Sequence, residues 1–179
     1  MKQRDKLNEA RYFLARMRAA LDDRVAFEYD LSAFLSASRS SLQFALEDAK
    51  RKQGGQAWYD KSMQNSAVCR FLKDKRDINI HEEPVRPQRS VSIEAMASVH
   101  FTETLEIEVI RNGEAIDRRS QSSGVGSNEA ASVDVPVTVT VTYVFNDWVG
   151  SEDVLSLCGK YVQDIDDIIN DGVAKGFIA

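Results

Sequence analysis

The sequence of 179 residues is poor in the residues that build disulfide and metal sites. It has only two cysteines and two histidines, and Cys69 and Cys158 stand far apart within helix-like patterns. That arrangement favours two reduced thiols in a core over a disulfide framework. His81 and His100 are too few for a zinc cluster. We therefore expect a protein with no metal and no cofactor.

A long hydrophobic run is also missing. The first 21 residues distribute charged side chains among the apolar ones, so they resemble neither a signal peptide nor a membrane span. We expect a cytoplasmic protein with no membrane partner. Hydrophobic residues make up 43% of the chain and charged residues 28%, a balance typical of a folded domain rather than a disordered one.

The net charge of −5 conceals two halves of opposite sign. Residues 1–85 contain 16 Lys and Arg against 13 Asp and Glu, a net of +3, whereas residues 86–179 contain 7 against 15, a net of −8. The basic half permits contact with RNA without requiring it. The acidic half would repel RNA and suits a basic protein partner.

Proline is scarce, and the first two prolines follow a long region of helical periodicity. Apolar residues at spacings of three and four predict four helices, at 2–21, at roughly 24–52, at 56–64, and from residue 65 or 66 to about 83. Pro84 disfavours helix at the residue before it, which sets the last boundary. A fifth helix is predicted from a Ser151 cap to Gly172, and its apolar stripe requires a partner among the earlier helices.

From residue 91 the apolar period changes to two. This alternation predicts antiparallel strands at 91–101, 105–109 and 133–145, with a hairpin signal at Asn112-Gly113. The polar stretch 117–132 predicts a mobile loop. His100 falls on the polar face of its strand and is interpreted as a solvated surface residue.

Together these elements predict an α+β protein. Its parts are an antiparallel helical bundle at 1–87, an inserted or appended antiparallel β-sheet at 88–147, and a C-terminal helix at 148–179 that returns to pack on the bundle.

The stretch KDKRDINIHEEP, residues 73–84, combines charged and polar residues at the end of the fourth helix. On a helical wheel Arg76 and Asn79 fall on the same side as Leu72, so they face the bundle, where a charge is costly unless it is paired or functional. His81 lies about 140° from Arg76 on an ideal helix. The two side chains can cooperate only if the helix end is distorted or a second chain contributes.

The residue types at this helix end suit RNA cleavage. A histidine near a helix C-terminus can exchange a proton close to neutral pH, and an arginine can fork onto two phosphate oxygens. Without metal ligands nearby, this is chemistry for cleaving RNA through its own 2′-hydroxyl. An ordinary surface pair of arginine and histidine is the commoner meaning of such a spacing, and it stays open at this point.

The order of these residues resembles the motif of the HEPN domain family, in which Arg is followed after four to six residues by His, usually with Asn, Asp or His directly after the arginine. Arg76, Asp77 and His81 fit this motif, with four residues between Arg76 and His81. The resemblance covers about residues 2–85, while the sheet is no part of the family's core. It implies a HEPN-like bundle, commonly a homodimer, with Arg76 and His81 as catalytic residues and Asp77 as their polar companion; Asn79 is a second supporting polar residue.

Two functions follow as expectations. The first is a metal-independent endoribonuclease of a toxin-antitoxin or defence system, acting on RNA as a homodimer. Because some HEPN-like proteins are inactive, the alternative is a non-catalytic dimeric module that binds a protein or a nucleotide or acts as a scaffold. In that case the acidic C-terminal half would recognise a partner.

Overall fold

A computed structural model describes residues 1–95, 103–111, 114–123 and 137–179. Within these residues the protein is α+β and mostly helical. Its helices are α1 (Lys2–Ala19), α2 (Arg24–Lys50), α3 (Gly55–Asn65), α4 (Ala67–His81) and α5 (Val154–Ala174). Its strands are β1 (Gln88–Ala95), β2 (Glu103–Arg111), β3 (Glu114–Ser123) and β4 (Val137–Val144).

The chain divides into two compact units. The first unit contains residues 1–92 and 140–179, and the second contains residues 93–139. The strands form two two-stranded sheets, one of β1 with β4 and one of β2 with β3. The predicted domain boundaries at 87/88 and 147/148 stay predictions.

β2 and β3 pair antiparallel, from Glu103 opposite Ser123 to Arg111 opposite Glu114. The register shifts between Val109 and Ile110, where the ladder is irregular. The predicted loop is therefore wrong for residues 117–123, which are part of β3. Pairing with a neighbouring strand satisfies the backbone of this polar segment, a stabilisation that its composition does not reveal. Residues 124–132, the two hairpin residues 112–113 and the predicted surface residue His100 lie outside the described residues.

Side-chain caps begin three helices of the first unit, α2, α4 and α5. The carboxylate of Asp23 accepts a hydrogen bond from the backbone N–H of Ala26 at 3.0 Å and so caps α2. At α4 the Ser66 hydroxyl accepts from the backbone N–H of Cys69 at 2.9 Å and donates to Asp164 of α5 at 2.6 Å. Ser66 thus both starts α4 and fixes its N-terminus to α5.

The boundaries of α5 differ from the prediction at both ends. Asp153, not Ser151, is its N-cap and accepts a hydrogen bond from the backbone N–H of Ser156. Gly172 lies inside the helix, where a Cβ atom would come within 2.6 Å of the side chains of Trp58 and Ile178. This glycine is present for close packing rather than for helix termination.

One hydrophobic core fills the first unit. α5 packs against α1, α2 and α4, and its apolar stripe is buried, with Leu157, Cys158, Tyr161, Ile165 and Ile169 at 0% exposure. Both cysteines are buried and free, which confirms the prediction of two core thiols. The core also takes in the end of β4, where Tyr143 stacks on Phe27 with ring centroids 3.8 Å apart.

Candidate functional site

The site residues predicted from the sequence all lie on α4 or at its C-terminal end. α4 is a continuous α-helix from Ala67 to His81. The backbone N–H groups of Glu82 and Glu83 both donate to the carbonyl of Ile78, at 2.9 and 3.2 Å, which closes the last turn. Because the helix stays regular through His81, the angle of about 140° between Arg76 and His81 is retained.

Arg76 is partly buried beside α2, its side chain being 27% exposed. It lines a cavity of about 270 Å³ together with four residues of α2: Arg39, Ser40, Gln43 and Phe44. No carboxylate lines this cavity among the described residues. The guanidinium Nε of Arg76 is buried and has no hydrogen-bond partner within the described part of the chain. A buried donor without an acceptor is costly, so this group has unused capacity for an anion.

Asp77 partly neutralises Arg76 from the solvent side. Its carboxylate accepts from Arg76 at 3.1 Å and from Lys73 at 3.3 Å. Burial alone would raise the pKa of Asp77, but the hydrogen bonds and charges of Arg76 and Lys73 outweigh it and hold the pKa below its ordinary value. Asp77 is therefore ionised wherever the protein is near neutral pH.

Asn79 connects three segments of the chain. Its side-chain amide donates to the hydroxyl of Ser32 on α2 at 2.8 Å, and its amide oxygen accepts from the backbone N–H of Val85 at 3.0 Å. These contacts fix the segment after α4 against α2. Asn79 faces the helical unit as the wheel predicts, and its contacts are structural.

His81 is exposed at the C-terminal end of α4. The described residues make no hydrogen bond or ion pair to its ring, and none joins it to Arg76. Two apolar side chains are exposed toward this end of the helical unit: Ile80 on α4 is 47% exposed and Tyr29 on α2 is 73% exposed. Tyr29 and Asn79 line the same cavity, which places Tyr29 near this end of α4.

The sequence interpretation missed the contribution of α2, above all Arg39. This arginine lies between two cavities, one shared with Arg76 and one shared with Tyr59. A weak signal for it exists, because Arg39 is the one charged residue in a run of small residues, SASRSS. Its neighbours Ala37, Ser38 and Ser41 are buried, so the arginine emerges from a closely packed part of α2.

The described residues show neither a candidate metal site nor a candidate membrane span. They contain no group of three or more His, Cys, Asp or Glu side chains that could hold a metal ion. None of the helices in the described ranges has both the length and the apolar composition needed to cross a bilayer.

No protein-family model, curated protein or solved structure matches this chain.

Proposed function

We propose that the protein is a HEPN-like, metal-independent endoribonuclease that acts as a homodimer. The observation that carries the proposal is the state of Arg76. This arginine borders a cavity without carboxylates and keeps a buried Nε that has no acceptor among the described residues. The cationic side chain of Arg76 lines the cavity and could hold a phosphate there. His81, an exposed titratable group on the same helix, supplies the second part of the chemistry.

The reaction assigned to these residues is attack of an RNA 2′-hydroxyl on the adjacent phosphorus. His81 moves a proton, either from the 2′-hydroxyl as general base or to the departing 5′-oxygen as general acid. Arg76 holds the phosphate and stabilises the charge that develops on its oxygens. A P–O bond to the 2′-oxygen forms as the bond to the 5′-oxygen breaks. The products are therefore a 2′,3′-cyclic phosphate and a 5′-hydroxyl.

A homodimer is the arrangement in which Arg76 and His81 can serve one phosphate. Within one chain they point about 140° apart along a regular helix. The exposed Ile80, which precedes His81 in the chain, offers apolar surface for a second copy. Light scattering tests this part, and a monomer at tens of micromolar, on the order of a weak interface's affinity, would contradict it.

Activity is tested by incubating the purified protein with a mixed RNA pool in EDTA. We expect cleavage that survives chelation and products that end in 2′,3′-cyclic phosphate. Arg76→Ala and His81→Ala should each lower the rate by about a hundredfold or more, the scale of general acid-base catalysis. Arg51→Ala is the matched control, since Arg51 is 75% exposed, lines neither the Arg76 cavity nor the cavity beside Asn79, and should retain activity when substituted.

A second function is favoured by the contact between Arg76 and Asp77. If this ion pair, at 3.1 Å, satisfies the arginine, the protein is a non-catalytic dimeric module that binds a protein or nucleotide. The net charge of −8 in residues 86–179 supports a basic protein as its partner. Absence of RNA cleavage by the parent protein, together with retained dimerisation, would favour this second function. A toxin-antitoxin or defence role fits either function.

A further inference from the structure

A larger cavity lies between α2, α3 and α4. Its volume is about 490 Å³, within the range of small-molecule sites. The inner part is apolar and is formed by Leu46, Tyr59 and Met63, of which Tyr59 and Met63 are at most 9% exposed. Charged residues surround this part: Arg39, Asp60, Arg70, Lys73 and Asp74. The cavity thus combines an apolar interior with a charged rim.

The positive charge of the rim is only partly neutralised. Lys73 is already held by two carboxylates, Asp74 at 3.6 Å and Asp77 at 3.3 Å. Arg39 and Arg70 have no carboxylate within 4.0 Å among the described residues. Among the described residues, the guanidinium of Arg70 donates only to the backbone carbonyl of Gln64. Two guanidinium groups therefore face the cavity with donors to spare.

Tyr59 adds a neutral donor to the cavity wall. Burial raises the pKa of its hydroxyl, while the neighbouring Arg39 opposes the rise. The hydroxyl consequently stays protonated at neutral pH and can donate a hydrogen bond. Asp60 has the opposite effect, because this exposed carboxylate at the rim repels an anion. Its described hydrogen bond comes from the neutral amide of Gln56 at 2.8 Å.

We propose that this cavity binds a small phosphate monoester with an apolar body. Arg39 and Arg70 hold the phosphate. A phosphate monoester has two negative charges and several acceptor oxygens, so it matches two guanidinium groups better than a ligand with a single carboxylate does. The apolar body contacts Tyr59 and Met63. Arg39 also lines the cavity that contains Arg76, so the two sites are neighbours, whereas Arg70, Tyr59 and Met63 line only the larger cavity. Arg70 precedes His81 by eleven residues, about 16 Å along the helix axis, so binding here does not require the proposed proton transfer by His81.

Calorimetric titration with phenyl phosphate tests the proposal, with inorganic phosphate and benzoate as comparison probes. We expect phenyl phosphate to bind most tightly. Arg39→Gln and Arg70→Gln should each weaken its binding tenfold or more, because each removes a charge-assisted contact. Asp60→Asn should strengthen binding severalfold by removing a like charge. Tighter binding by the Asp60→Asn variant could not be explained by misfolding, whereas weaker binding by an arginine variant could.

Arg51→Gln is the matched control, since Arg51 is 75% exposed, lies outside the cavity and undergoes the same change of charge. Binding of phenyl phosphate to the Arg51 and His81→Ala variants should equal binding to the parent. Equal losses in the Arg39, Arg70 and Arg51 variants would overturn the proposal by showing attraction to net charge alone. Loss of binding in His81→Ala, equal affinity for inorganic phosphate, or no binding of any probe at millimolar concentration would also overturn it.

Discussion

Arg76 and His81 stand five residues apart on one helix and have different surroundings. Arg76 is partly buried between α4 and α2, in contact with Asp77 and beside a cavity. His81 is exposed at the helix end without a hydrogen bond from the described residues. The fold therefore fixes the position of the Arg76 side chain, whereas contacts from the described residues do not fix the side chain of His81. A substitution at Arg76 should affect folding and function together, whereas one at His81 should affect function alone.

The largest effect is expected from removing α5, the helix that packs on α4 and buries its inward side. Ending the chain at Asp147 removes α5, which packs on α4 and buries an apolar stripe from Val154 to Ile169. Leaving that core open should cost the protein its cooperative thermal unfolding, because several buried side chains each contribute about 1.5–3 kcal/mol. Circular dichroism melting would show a broad, featureless change. A truncated protein that keeps a sharp transition would contradict this expectation.

The next effect tests whether the arginine and the histidine of one site come from different chains. If they do, a dimer of one Arg76→Ala chain and one His81→Ala chain contains one intact site and one site that lacks both residues. Random mixing should therefore restore cleavage to about a quarter of the parent rate. Each variant alone should stay at about 1% of the parent rate, on the scale of lost acid-base catalysis.

The experiment mixes the two inactive variants under conditions that exchange subunits and measures metal-independent cleavage. A control mixture of Arg76→Ala with the double variant has no intact site and should stay inactive. If the first mixture also stays inactive although heterodimers form, the two residues do not meet across the dimer interface.

A smaller effect separates the structural polar residue from the exposed one. Asn79→Ala removes the acceptor for the backbone N–H of Val85, a residue that is 8% exposed, and the donor to Ser32. The buried N–H left without a partner should lower the free energy of unfolding by about 1–3 kcal/mol. His81→Ala should change it by less than about 0.5 kcal/mol, as expected for an exposed position. Urea unfolding of both variants measures the difference, and equal losses would refute it.

The helices could be predicted from the sequence because their pattern is local. Leu7, Leu14 and Met17 recur at helical spacing and are buried in α1. The same logic placed Arg76 and Asn79 on the inward side of α4. The strand at 117–123 could not be predicted, because its polar residues show no alternation and its stability comes from pairing with β2.

Features that depend on contacts between distant residues escaped prediction. Gly172 has the residue type of a helix stop, and its close approach to Trp58 exists only once α3 and α5 are packed. Arg39 likewise gains its position next to Arg76 from the packing of α2 on α4. No spacing along the chain connects residues 39 and 76. The sequence therefore predicted Arg76 as a site residue and did not predict Arg39 beside it.

The smallest effect concerns Asp77, the carboxylate that contacts Arg76. Because contact with Arg76 and Lys73 lowers its pKa in the folded protein, its contribution to stability is present above its ordinary pKa of 3.8 and is lost as the pH falls through the lower, folded value. The side chain is 41% exposed, so solvent screening limits the contribution to well under about 1 kcal/mol. Urea unfolding should therefore show a small loss for Asp77→Asn at pH 7, and this loss should shrink as the pH falls below 3.8. The same substitution frees Arg76 from its carboxylate and should modestly strengthen RNA binding by the His81→Ala protein. Weaker RNA binding would mean that Asp77 positions the arginine for phosphate rather than competing with phosphate for it.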